Sequence, residues 1–200
     1  MLEDNNIIGI GMHKTVYLHP CDDSLCIKIP HKPNDIDLKR ELRYRMNVGE
    51  NRKSLIPCYY GTINTVKGLG YIFELVKDYD ESISSDFESF LKEFPQKFGD
   101  KEILRNVILQ FKNEFYYENV VLTDADPGNF VIQRLTSSKF KLRIVDNIGS
   151  PVLIPLEYYI NYFAKTKAKR CYKRFLGNLH RKFPEIFTID FIKELTDERI

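Results

Sequence analysis

The sequence predicts an α+β fold of two lobes, a small five-stranded N-lobe over about residues 1–77 and a reduced, mostly helical C-lobe over about residues 81–200. Three observations carry this. The first 80 residues alternate short β-branched and aromatic runs with turn residues; from Ser84 onward apolar residues recur at helical spacing; and one hairpin pattern interrupts the helical half. The two lobes read as one domain, 1–200, with a cleft where they meet near residues 76–80.

Strand candidates occupy residues 6–10, 15–19, 25–29, 58–65 and 70–76. Each is rich in residues that suit a pleated, half-buried surface. Between the third and fourth, residues 35–48 place Ile36, Leu38, Leu42, Arg43 and Met46 near helical spacing behind the start signal Pro33-Asn34. Further on, Ile103, Leu104, Val107, Ile108, Phe111 and Phe115 share one face of a helix, which should be a core element. Residues 129–134 and 140–145 read as a hairpin separated by a polar turn at Ser137-Ser138. From Pro155 to about Leu179, and again over residues 189–195, the pattern returns to helix. No internal repeat or low-complexity segment breaks this order.

Composition narrows the function classes. With 43% hydrophobic and 29% charged residues the chain can bury a core and is not biased toward disorder. Its 30 basic and 28 acidic residues nearly cancel, so overall charge gives no reason to expect a nucleic-acid binder. The opening Met1-Leu2-Glu3-Asp4-Asn5 lacks the basic start and apolar stretch of a signal peptide. No apolar run approaches the roughly 18 residues of a membrane helix, so no membrane span is expected. Cys21, Cys26, Cys58 and Cys171 form neither a C-x-x-C pair nor a metal-spaced set with histidine. They read as reduced thiols, and a cytoplasmic location follows.

Four segments can carry chemistry. Gly9-Ile10-Gly11, followed by Thr15-Val16-Tyr17, would let backbone N–H groups approach phosphate oxygens; by itself it also suits a plain hairpin turn. Lys28 in Cys26-Ile27-Lys28-Ile29 lies on the strand face opposite Ile27 and Ile29 and, if inward, needs an anion. Glu41 in the following helix can supply one; a solvated lysine and an ordinary helix-face glutamate are the plain alternative. In Val120-Val121-Leu122-Thr123-Asp124-Ala125-Asp126-Pro127-Gly128-Asn129-Phe130-Val131, an aspartate stands five residues before an asparagine, between an apolar helix and a strand. That is the layout of a kinase catalytic loop; a polar loop with Asp and Pro-Gly turn chemistry is the plain alternative. Finally Arg143-Ile144-Val145-Asp146-Asn147-Ile148-Gly149 puts a carboxylate, a hard oxygen ligand suited to Mg²⁺, at a strand end facing the cleft; by itself it reads equally as a turn aspartate.

Taken in order, these segments resemble the protein-kinase-like superfamily and, more narrowly, the bacterial PhoP-regulatory-network (YrbL-type) family. The narrower resemblance rests on Gly9-x-Gly11, Cys26-Ile27-Lys28-Ile29, Arg40-Glu41-Leu42, Pro57-x-Tyr59-x-Gly61-Thr62, Asp146-Asn147-Ile148-Gly149 and Leu153-Ile154-Pro155-Leu156, spanning roughly residues 7–175. It implies a two-lobed kinase-like fold with ATP and Mg²⁺ as cofactors and transfer of a phosphoryl group. Gly9, Gly11, Lys28, Glu41 and Glu74 would then bind the nucleotide, Asn129 and Asp146 the metal, and Asp124 would act as base or orient the acceptor. The acceptor is unknown, with a small molecule or sugar favoured over protein because Asp-x-x-Pro-Gly-Asn is similar to the loop of kinases that act on small molecules.

The departures from that pattern are specific. Lys14 replaces the third glycine, Leu122-Thr123 precede the aspartate, Asp126 stands where many kinases carry a cation, and no A-P-E segment follows Gly149. A pseudokinase-like nucleotide-binding module that recruits a partner is therefore the competing expectation. A basic stretch, Lys165, Lys167, Lys169, Arg170, Lys173, Arg174, Arg181 and Lys182, is interleaved with Tyr162, Phe163, Tyr172 and Phe175. It would attract an anionic partner, unless its aromatics are core and its lysines merely solvated.

Overall fold

A computed structural model describes residues 2–49, 54–97 and 100–196. The N-lobe sheet comprises β1 (Ile7–Ile10), β2 (Lys14–Leu18), β3 (Leu25–Pro30), β4 (Tyr59–Thr65) and β5 (Gly68–Glu74), all antiparallel in the order β1-β2-β3-β5-β4. Central β3 is covered on both faces. Ile27 and Ile29 pack with Leu2 and Tyr17 on one side, while Cys26 packs with Leu38, Phe73 and Leu75 on the other. Alternation therefore turns Lys28 toward the second face, under the helix. Gly70 allows β5 to lie close on β3, since a Cβ there would come within 2.5 Å of Ile27 Cγ2.

Helix α1 (Ile36–Val48) follows β3 and starts where Asp35 Oδ1 accepts from the Leu38 N–H. The helix lies where the sequence predicts it, yet the face it buries differs. Ile36 and Met46 are exposed, and the inward residues are Leu38, Glu41, Tyr44 and Arg45. A buried charge pair at i,i+4 replaces the apolar stripe. Hydrophobic spacing is blind to this.

The C-lobe is built on α2 (Phe87–Lys97), α3 (Lys101–Glu118), α4 (Asn161–Lys182) and α5 (Ile189–Thr196), with a three-stranded sheet of β6 (Ser85–Asp86), β7 (Phe130–Arg134) and β8 (Phe140–Ile144). The predicted face of α3 enters the core. Phe111, Phe130 and Phe175 meet with ring centroids 4.8 to 5.6 Å apart, knitting α3, β7 and α4 together. Two aromatics of the basic stretch, Tyr172 and Phe175, are thus core residues, while Tyr162 and Phe163 remain exposed. Helix α4 begins at Asn161, later than the periodicity suggests, because Pro155 leads into a 3₁₀ turn at Leu156–Tyr158. The two-residue β6 is too short to leave any periodic trace.

Between the lobes the chain forms a bridge of Lys77 with Ile83, and the Ser84 N–H bonds to the Val76 carbonyl. A second tie crosses the lobes where Ile144 N–H donates to the Leu55 carbonyl at 2.7 Å. Among the described residues no helix is long and apolar enough to cross a membrane.

Candidate functional site

Most of the residues singled out by motif converge on the space between the lobes. A cavity of about 410 Å³ is lined by Gly9, Gly11, Lys28, Glu74 and Asp146, with Val16, Phe73 and Leu75 as apolar walls. A second space of about 400 Å³ is lined by Asp124, Asn129 and Asp146 together with Gly11, Lys14 and Asn147. Asp146 belongs to both. Glu41 lines neither and lies behind Lys28.

Lys28 is 6% exposed, donates to the Val145 carbonyl at 2.7 Å and stands 4.2 Å from the centre of the Phe73 ring. Its nearest anion, Glu41, is 3.9 Å away, close enough for attraction and too far for a hydrogen bond. Burial pulls the Lys28 ammonium below the usual lysine range, against the opposing pull of Glu41. Glu41 is occupied chiefly by Arg45, whose Nε and Nη2 donate to Oε1 at 3.1 and 2.6 Å, while Arg45 Nη1 donates to the Pro57 carbonyl. The expected Lys28–Glu41 couple is therefore a triad, and the i,i+4 spacing of Glu41 and Arg45 was the available sign of it.

Asp146 is held by a residue that sequence reasoning treated as a mere loss of glycine. Lys14 Nζ donates to Asp146 Oδ1 at 2.5 Å, and Lys14 is 7% exposed. Burial opposes both charges. For Lys14, the Asp146 and Glu41 charges outweigh it and raise the ammonium above its usual range; for Asp146, Lys14 and Lys28 outweigh it and depress the carboxyl. Asn147, in the left-handed region at φ 57°, turns its N–H onto the Asp146 carboxylate at 2.7 Å. Gly149 has φ 101° and lies so close to α1 that a Cβ would meet the Arg40 carbonyl oxygen at 2.9 Å. The extra residue between Asp146 and this glycine is accommodated by that left-handed turn.

The segment bearing Asp124 is tied to the one bearing Asp146. Thr123 N–H donates to the Asn147 carbonyl and Gly149 N–H to the Val121 carbonyl, both at 2.8 Å. Asp124 itself is exposed and accepts from Asn129 Nδ2 at 3.4 Å, while Asn129 Oδ1 accepts from Asn147 Nδ2 at 3.0 Å. Asp126 turns away from this group. Its carboxylate caps the 3₁₀ turn Pro127–Asn129 through the Gly128 N–H and meets Lys182 Nζ on α4 at 2.8 Å. Lys182 also reaches Glu88 at 2.8 Å, so one cation of the basic stretch is an internal fastener.

This fastener has a pH signature. Burial would raise the Asp126 carboxyl, but Lys182 and the Gly128 N–H outweigh it and hold it below its ordinary value of 3.8. Glu88 is depressed as well, first by its bond to Lys182. A depressed carboxylate contributes stability that is complete above its unfolded pKa and lost as pH falls through the folded one. Acid titration followed by circular dichroism should thus show wild type losing stability as pH falls below about 4, with a flatter limb in Lys182→Met. An equally steep limb in that variant would remove the assignment.

Glu74 has a committed side chain. Both its carboxylate oxygens accept from Arg143 Nη2 at 3.0 Å, and Oε2 also takes the Cys58 N–H. Arg143, on β8, thereby joins the end of β5 to the C-lobe sheet. A lone arginine inside the apolar Leu142–Val145 run was its only sequence signal.

Asp146 and Asn129 could hold a divalent cation only alongside oxygens supplied from elsewhere. Asp146 and Asn129 offer hard oxygens, and a positive charge, the Lys14 ammonium, already rests against Asp146. Among the described residues no group of three or more His, Cys, Asp or Glu side chains is placed to hold a metal alone. Mg²⁺ commonly binds through one or two carboxylates plus substrate phosphates.

Comparison with known proteins bears on the family and the fold. The family described as PhoP regulatory network protein YrbL matches residues 1–180. Proteins of Escherichia coli (strain K12) and Shigella flexneri, each named uncharacterized protein YrbL, are 31% identical over 181 residues, covering 88% of this chain and 86% of theirs. Among solved structures, the PknI kinase domain of Mycobacterium tuberculosis superposes with a TM-score of 0.57 at 14% identity, covering 96% of this chain and 86% of that one. A mutant form of the same domain gives the same TM-score with 85% of its length covered.

Proposed function

The chain belongs to the family described as PhoP regulatory network protein YrbL, and from that membership and its two-lobed kinase-like fold we propose that it is an ATP- and Mg²⁺-dependent phosphotransferase. The observation that carries the reading is the meeting of Lys28, Asp146, Asn129 and Asp124 on two adjoining spaces between the lobes. Bound ATP with magnesium supplies the transferable phosphoryl group and neutralises its charge. Lys28, kept in place by Glu41 and the Val145 carbonyl, would meet the phosphates, and the backbone at Gly9 and Gly11 would approach them closely. Asn129 and Asp146 present oxygens to the metal. Asp124, exposed at the mouth of the second space, receives the proton of an acceptor hydroxyl. Positioning and charge do most of the work in such a site.

The acceptor we favour is a small molecule or sugar. Residues 151–155 run directly into the 3₁₀ turn before α4, with the Val152 carbonyl held by Arg43 of α1, so no long segment follows Gly149 on which to lay a peptide. ATP with Mg²⁺ at about 100 times its Kd should add about 2.7 kcal/mol of stability. In a chain of this size that raises Tm by about 5–10 °C. Absence of any shift would remove the nucleotide from the reading.

A second reading has its own observation. Lys14 rests on Asp146, the carboxylate assigned to the metal, which suits a nucleotide-binding module that recruits a partner without turning ATP over. Stabilisation by ATP with no transfer to any component of a cell extract would favour it.

A further inference from the structure

Lys14 sits where a metal-binding carboxylate would otherwise need a cation. Its Nζ makes one hydrogen bond, to Asp146 Oδ1, and an ammonium has three donors. The side chain is nine-tenths buried and lines both spaces of the cleft. Its backbone is fixed as the first residue of β2, where it pairs with Pro30, and its carbonyl accepts the Gly11 N–H at 2.9 Å. The second lysine, Lys28, spends one donor on the Val145 carbonyl, one residue before Asp146. Both ammonium groups line the first space of the cleft from adjacent strands, each with donors to spare, and Lys14 lines the second space as well.

We propose that Lys14 is a phosphate-binding residue, its buried ammonium bridging Asp146 and the terminal phosphates of a nucleotide, so that binding of the nucleotide, unlike transfer of its phosphoryl group, does not require a divalent metal. This rests on the nucleotide reading above and makes it more specific. A lysine reaches phosphate as a point charge, so neither planar geometry nor a second ligand is needed. Asp146 stays in contact with Lys14 through Oδ1 and orients it, and a metal needed for transfer would share that carboxylate with Lys14.

Isothermal titration of the full chain with ATP, in EDTA and in Mg²⁺, tests this on wild type, Lys14→Met and Lys14→Arg. Wild type should bind ATP in EDTA within about tenfold of its affinity in Mg²⁺. Loss of one charge-assisted phosphate contact in Lys14→Met should weaken binding in EDTA by about tenfold to a hundredfold. Lys14→Arg should recover most of that, because it keeps the charge. Circular dichroism melts of the same samples separate misfolding from lost binding, and recovery in the arginine variant makes the charge itself the cause. Unchanged affinity of Lys14→Met in EDTA would overturn the proposal while leaving the nucleotide reading intact. Tighter Mg²⁺-ATP binding by Lys14→Met, with wild type silent in EDTA, would also overturn it, since Lys14 would then only obstruct the metal. No binding by wild type under either condition would overturn the nucleotide reading and this inference together.

Discussion

Glu41→Ala should cost about 3–5 kcal/mol of folding stability, the range for breaking a buried ion pair from one side. The reason is local. Glu41 and Arg45 have side chains only 2% exposed, and Arg45 delivers two hydrogen bonds to one carboxylate oxygen. Without Glu41 the guanidinium keeps its bond to the Pro57 carbonyl, and Lys28 loses its nearest anion. Two cations facing Phe73 would then share one enclosed space. Urea denaturation measures the loss, and a change below about 1 kcal/mol would mean that water or a shifted side chain replaces the carboxylate. Glu41→Gln should fall between, since it restores an acceptor without the charge.

Asp124→Ala should lower phosphoryl transfer by about 10²–10⁴-fold, the usual contribution of a positioned general base. Little else should change. Asp124 is exposed and takes one long hydrogen bond from Asn129, so the melting temperature and the ATP-induced shift should stay near wild type. Labelled ATP incubated with a cell extract as the source of acceptor provides the assay. A full rate in the variant would remove Asp124 from the chemistry, and a lost ATP shift would move it to nucleotide binding.

Much of the fold was legible because its signals are local. The strand runs around Lys28, the face of α3 and the hairpin of β7 and β8 each carry their period in the sequence. What stayed hidden were interactions whose partners lie far apart in the chain. Lys14 finds Asp146 across 132 residues, Arg143 finds Glu74 across 69, and Lys182 finds Asp126 across 56. No window of sequence contains both members of such a pair. The direction of α1 was misread for a related reason: charged residues that find buried partners look, in sequence, like a solvent face. Asp126 is the converse case, an acid that reads as a neighbour of Asp124 until its bond to α4 is seen.

The bond between Glu74 and Arg143 bears on timing. It joins the lobes at the end of β5, next to the tie between Ile144 and Leu55, and the Lys14–Asp146 bond joins them again beside Gly11. The short turn of Gly11, Met12 and His13 between β1 and β2 lines the second space, with Met12 86% exposed and the His13 carbonyl accepting from the His31 N–H. Exchange of an occupant would then be gated by that short turn, which moves on nanosecond to microsecond scales, rather than by lobe rotation over microseconds to about milliseconds. Residence time becomes a property of one loop, and stiffening it would lengthen the stay of a ligand without adding a single contact to it.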